Sequence, residues 1–151
     1  MNIATYATAG MLIWGLSALA QAADNCQVTL RGDDNMRFDL SRLTVSSRCE
    51  AVTIELAHTG KLGANVMGHN VVVTLTRDFK DVATAGTKAG PENGYVPPDD
   101  DRVIGASDMI GGGQSTSLTI PVNHLQAGED YTFFCSFPGH WTMMKGKLLV
   151  N

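Results

Sequence analysis

An all-β sandwich is the fold class this sequence predicts. The expectation rests on short runs in which apolar and polar residues alternate, and on clusters of Gly, Asn, Asp and Pro between those runs. In Cys26–Gly32, Val28 and Leu30 share one face, and in Ala51–Ala57 Val52, Ile54 and Leu56 do the same. Val71-Val72-Val73-Thr74-Leu75 is rich in the β-branched residues that suit a pleated surface. Leu118 and Ile120 alternate in Ser115–Val122, Tyr131, Phe133 and Cys135 in Tyr131–Ser136, and a last strand closes the chain at Gly146–Val150. Gly32-Asp33-Asp34-Asn35 and Gly111-Gly112-Gly113 are typical of the turns between them. One stretch breaks the pattern: 78–89 lacks alternation, opens on the N-cap residue Asp78 and is followed by Gly90-Pro91. These signals predict one short helix in a crossover connection.

With 151 residues, one domain is the natural expectation. Residues 1–22 stand apart from it. They carry no Asp, Glu, Lys or Arg, hold an apolar stretch from Ala9 to Ala20, and end in Ala20-Gln21-Ala22, the small-x-small form of an export cleavage site. The stretch is shorter than the about 20 apolar residues a bilayer requires. The expected organisation is a cleaved signal peptide over 1–22 and a single mature domain over 23–151, soluble outside the cytoplasm. Net charge is −4, clustered only at Asp99-Asp100-Asp101, which Arg102 partly offsets. No basic stripe exists, which excludes nucleic acid as a partner class.

Three cysteines remain in the mature chain. In an oxidising compartment two of them pair. Cys26 and Cys49 sit early and flank two short strand-like segments, which makes them the expected pair. Cys135 is then left over. A free thiol is a liability in an exported protein, whereas a metal-bound thiolate is not.

Cys135 opens the segment that carries chemistry. Cys135-Ser136-Phe137-Pro138-Gly139-His140-Trp141-Thr142-Met143-Met144 offers a thiolate, an imidazole and thioethers around a Pro-Gly turn. Soft sulfur together with imidazole suits copper in both of its oxidation states, and two His, one Cys and a weak axial Met make the blue-copper pattern. A second imidazole is available from His69 in Asn65-Val66-Met67-Gly68-His69-Asn70, at the start of a strand. Gly68, having no side chain, lets its carbonyl approach a metal closely.

These segments, with Pro98-Asp99-Asp100-Asp101-Arg102-Val103-Ile104 and Met144-Lys145-Gly146, resemble the azurin family of blue-copper cupredoxins in one register from Cys26 onward. The resemblance implies an eight-stranded Greek-key sandwich with a helical flap, a Cys26–Cys49 disulfide and one copper. It implies His69, Cys135 and His140 as equatorial ligands and the Gly68 carbonyl as a weak axial one. It also selects Met144 rather than Met143 as the axial thioether. Asn70 would tie the two ligand loops, and the backbone N–H groups of Asn70 and Phe137 would donate to the Cys135 sulfur. Met36, Leu62, Val66, Met67, Phe137 and Trp141 would form an apolar docking patch around the edge of His140. The implied activity is single-electron transfer in the periplasm, without catalysis. The partners would be redox proteins such as c-type cytochromes and copper- or haem-containing respiratory or denitrification enzymes, and the shuttle would be a monomer. Val71 departs from the pattern, since some azurins carry a buried tryptophan at that position.

The remaining histidines lack metal-ligand spacing. His58 follows a strand and reads as a structural histidine, with a pH-linked role as the alternative; His124 reads as a surface or turn residue. Two other functions compete: a copper carrier that hands over the metal itself, and an enzyme with Cys135 as nucleophile. The enzyme reading lacks a segment to supply an orienting group and an oxyanion hole.

Overall fold

The alternating runs fold into strands of two sheets that face each other across one core. The structure is a computed structural model and is described for residues 24–151; the expected signal peptide over 1–22 lies outside the described residues. The strands are β1 (Gln27–Asp33), β2 (Arg37–Phe38), β3 (Arg42–Val45), β4 (Ala51–His58), β5 (Val72–Leu75), β6 (Val103–Ala106), β7 (Ser115–Pro121), β8 (Tyr131–Phe134) and β9 (Lys145–Val150). Two α-helices, α1 (Ala64–Met67) and α2 (Phe79–Ala89), lie between β4 and β6.

One sheet has the order β2-β1-β4-β7 and the other β3-β9-β8-β5-β6. β1 pairs with β4, and β3 with β9, in parallel; the other neighbours are antiparallel. Because the chain changes sheets repeatedly, its inward residues meet in the middle. Leu30, Val52, Ile54 and Leu56 from the first sheet, Val73, Phe133 and Leu148 from the second, and Val71 just ahead of β5 are fully buried. Each such side chain contributes roughly 1.5–3 kcal/mol by leaving water.

A smaller apolar cluster lies on the outer face of the five-stranded sheet. There α2 sets Phe79, Val82 and Ala83 against Val72 and Phe134. Consequently β8 is covered on both faces: Phe133 points to the main core and Phe134 to the helix. The helix begins and ends close to where the sequence predicts, but Asp78 makes no side-chain cap bond, and its carboxylate lies 3.8 Å from Arg77 instead. Strand β8 stops at Phe134, short of the expected Ser136. The Cys135 N–H still reaches the Met144 carbonyl in the β8–β9 register (3.0 Å), but that of Ser136 leaves the sheet for Asn70 Oδ1 (2.8 Å). This departure turns the end of a strand into a ligand loop.

A disulfide joins Cys26 to Cys49, with Cα atoms 5.6 Å apart, and Cys135 is free and buried.

Candidate metal centre

Three ends of chain converge at one pole of the sandwich. After the short helix α1, Gly68 and His69 run into β5, and His69 exchanges backbone hydrogen bonds of 2.9 Å with Ile110. Opposite them, residues 135–144 loop from β8 to β9. The loop closes on itself through Cys135 N–H to Met144 O (3.0 Å), His140 N–H to Phe137 O (2.9 Å) and Met144 N–H to His140 O (2.7 Å). Gly139 makes the turn possible, with φ 84° in the region that disfavours any side chain.

This folding brings His69, Cys135 and His140 together, with one ligand atom from each lying within 4.8 Å of the others. Cys135 Sγ is 3.6 Å from His140 Nδ1, 4.0 Å from His69 Nδ1 and 3.6 Å from the Gly68 carbonyl oxygen. A side chain at residue 68 would overlap the Ala64 carbonyl and the Met109 thioether, so the close approach of that carbonyl needs glycine. Of the two candidate thioethers, Met144 is fully buried whereas Met143 is 64 % exposed.

The electrostatics of the cluster suit a cation. Burial pushes the Cys135 thiol up to about 12, while backbone N–H groups of Asn70 and Phe137 at the sulfur act in the opposite sense. Such donors stabilise a thiolate and do little for a thiol, so they anticipate negative charge at Sγ that a metal would balance. Burial first, and the neighbouring histidines next, lower His140 to about 4. Burial also lowers His69, partly opposed by hydrogen bonding to the Asp33 carbonyl. Both imidazoles are therefore neutral at pH 7 and have a lone pair to offer. His69 Nε2 lies 2.9 Å from the Asp33 carbonyl and Nδ1 2.8 Å from the Gly68 carbonyl; the tautomer that donates from Nε2 to Asp33 has its Nδ1 lone pair free for a metal. Two neutral imidazoles, a thiol and a thioether, all buried, fit copper.

Asn70 ties the loops as a two-way clamp. Its Oδ1 accepts from Ser136 N–H at 2.8 Å, and its Nδ2 donates to Ser136 Oγ at 2.8 Å. Phe137 packs on the His140 ring at a centroid distance of 4.6 Å. Met36, Leu62 and Val66 are 39 %, 41 % and 58 % exposed, and Met67 and Phe137 are half-buried. Trp141 is half-buried as well, with its ring edge-on to Phe79 of α2 at 5.9 Å. His58 is buried and stacks on His69 at 4.1 Å; its Nδ1 accepts from Gly60 N–H and its Nε2 pairs with the Met67 carbonyl. His124 is exposed, in a single turn of 3-10 helix. No motif in the sequence points to Asp33, Ser136 or Met109. Two of them act through a backbone carbonyl or by filling space, which leaves no motif to read.

The same pattern recurs in known proteins. The family described as copper binding proteins, plastocyanin/azurin family, matches residues 24–151. An azurin of Alcaligenes faecalis is 50 % identical over 123 residues, spanning 82 % of this chain and 96 % of that protein. An azurin of Pseudomonas aeruginosa is 44 % identical over 136 residues, spanning 90 % and 91 %. A solved azurin structure from Methylomonas sp. strain J superposes with a TM-score of 0.80 at 39 % identity, covering 83 % of this chain and 98 % of its own. Since both the match and the ligand cluster fall within the described residues, the chain belongs to the plastocyanin/azurin family of copper-binding proteins.

Proposed function

We propose that the mature chain, residues 23–151, works in the periplasm as a type 1 blue-copper protein that passes single electrons between redox proteins. The observation that carries this reading is the buried His69–Cys135–His140 cluster, with all three donor atoms within 4.8 Å. His69, Cys135 and His140, together with the Met144 thioether and the Gly68 carbonyl, would hold the metal. Copper bound there supplies a one-electron Cu(I)/Cu(II) couple.

The protein's part is to hold those donors still. Asn70 fixes the spacing between the His69 strand and the Cys135 loop through its two bonds to Ser136. Asp33 fixes the His69 ring. Phe137 covers His140, and its N–H at the sulfur draws charge from the thiolate, which favours the reduced state. A site that changes shape little between oxidation states exchanges electrons quickly. Every donor comes from the chain, which supports a carrier rather than an enzyme.

Electrons have a short way out. His140 is 3 % exposed, whereas His69, Cys135 and Met144 are 0 % exposed, so the His140 ring reaches nearest the surface. Met36, Leu62, Val66, Met67 and Phe137 form the apolar patch for docking around it, with Trp141 at its border. The partners are c-type cytochromes and copper- or haem-containing respiratory or denitrification enzymes.

The test is the visible spectrum of mature wild type and Cys135→Ser after Cu(II) addition, followed by reduction with a c-type cytochrome. An intense blue thiolate-to-copper band, lost in the variant, and rapid reduction of the wild type are expected. A colourless wild type sinks the reading, and rapid loss of copper to a chelator favours a metal carrier instead.

A further inference from the structure

The loop that follows α2 contains a residue under local strain. Tyr95 has φ 57°, a left-handed conformation that non-glycine residues seldom adopt and that persists only where the surroundings enforce it. Three contacts enforce it here. Tyr95 N–H donates to the Gly90 carbonyl at 3.0 Å. The preceding Gly94 carbonyl accepts from Ser136 Oγ at 2.9 Å, the same serine that Asn70 grips. The Tyr95 carbonyl fills the place where a side chain of Gly86 would stand, so α2 sits against the segment as closely as glycine permits.

The strained residue carries a ring, and the ring points at the metal centre's cover. Tyr95 meets Phe137 edge-to-face, with centroids 5.4 Å apart at 71°. Phe137 in turn lies 4.6 Å from the His140 ring, at 41°. Phe137 also presents its backbone N–H to Cys135 Sγ. Edge-to-face rings at such separations attract in a preferred geometry rather than merely filling space. Tyr95, in the loop after α2, therefore bears on the residue that both covers His140 and supplies a donor to the thiolate.

We propose that Tyr95 is a positioning residue of the copper centre, holding Phe137 through ring contact and thereby setting the cover of His140 and the strength of the N–H···S bond to Cys135. The loop after α2 then tunes the site from outside the ligand set. This proposal rests on the electron-carrier reading for its purpose, but the placement of Phe137 is a property of the protein itself.

Three variants test it. Tyr95→Phe keeps the ring, Tyr95→Ala removes it, and Gly86→Ala leaves it intact while displacing the Tyr95 carbonyl. Each is purified with and without copper. The readouts are the Phe137 amide shift in metal-free protein, the energy of the thiolate-to-copper band, the midpoint potential and the unfolding temperature. In Tyr95→Ala the Phe137 amide should move. The band should stay intense but fall to lower energy and the potential should drop, because a weaker N–H···S bond leaves more charge on sulfur. Gly86→Ala should move the same amide, and Tyr95→Phe should match wild type in all of these. A Tyr95→Ala protein that unfolds earlier, with amide shift, band and potential unchanged, would make Tyr95 an ordinary packing residue and overturn the proposal. Absence of any blue band in wild type would instead strike the electron-carrier reading, and the metal-free amide shift would still decide the role of Tyr95.

Discussion

Cys135 and His140 are placed where neither charged form is at ease. The thiol is pushed up to about 12 and the imidazole down to about 4, in both cases chiefly by burial. A pH dependence of the metal-free fold follows. The unfolded chain protonates His140 near 6.5, whereas the folded chain holds it neutral down to about 4. Between these values the unfolded state binds more protons, so stability rises with pH across the window and is lost progressively as pH falls from 6.5 toward 4. Thermal denaturation of metal-free protein in steps through that window should show a declining midpoint. His140→Gln should flatten the decline, and a wild-type curve already flat there would contradict the depressed value.

At the scale of elements, one buried side chain, that of Asn70 just ahead of β5, clamps the ligand loop through Ser136. Asn70 and Ser136 are 0 % and 1 % exposed, so no water replaces the clamp if one half is removed. Asn70→Leu leaves the Ser136 N–H without its acceptor in an apolar setting, which costs about 1–3 kcal/mol. Urea denaturation of the metal-free protein should show that loss, with a copper band altered in the same variant; equal stability would mean that another acceptor takes over. The sequence makes some elements plain and hides others. β1, β4, β7 and β9 are legible because each carries its inward residues at period two within a run of six to eight residues. β2 has only two residues, β3 buries only Leu43 and Val45 within four, and β6 contains Gly105 and fully buries none of its residues. Such short stretches fall below what alternation detects. The site divides likewise. His69, Cys135 and His140 are readable because ligand chemistry demands particular side chains, whereas Asp33 works through its carbonyl, which any residue could provide. Tyr95 works through packing across the fold, and its strained backbone is invisible in sequence.

At the scale of the whole molecule, the two-sheet core stands apart from the copper pole, and the disulfide lies among the early strands. Cys26 and Cys49 are 23 residues apart, a loop for which chain entropy gives about 3 kcal/mol of stabilisation. The Cys26→Ala/Cys49→Ala double variant should therefore lose about 3 kcal/mol in denaturant titration while keeping its copper spectrum. Loss of the spectrum in folded protein would show that the two regions are coupled. One feature of the topology reaches beyond stability. β9 is the last of the described strands, yet it lies between β3 and β8, and β3 pairs with it across a gap on the order of a hundred residues. While the ribosome is still adding residues, that sheet has a vacant middle and β3 has no neighbour within it. The ligand loop, tied at Met144 to the start of β9, has no anchored far end until β9 has been made. The ligand cluster is thus held at both ends only after β9 has been made and has entered the sheet.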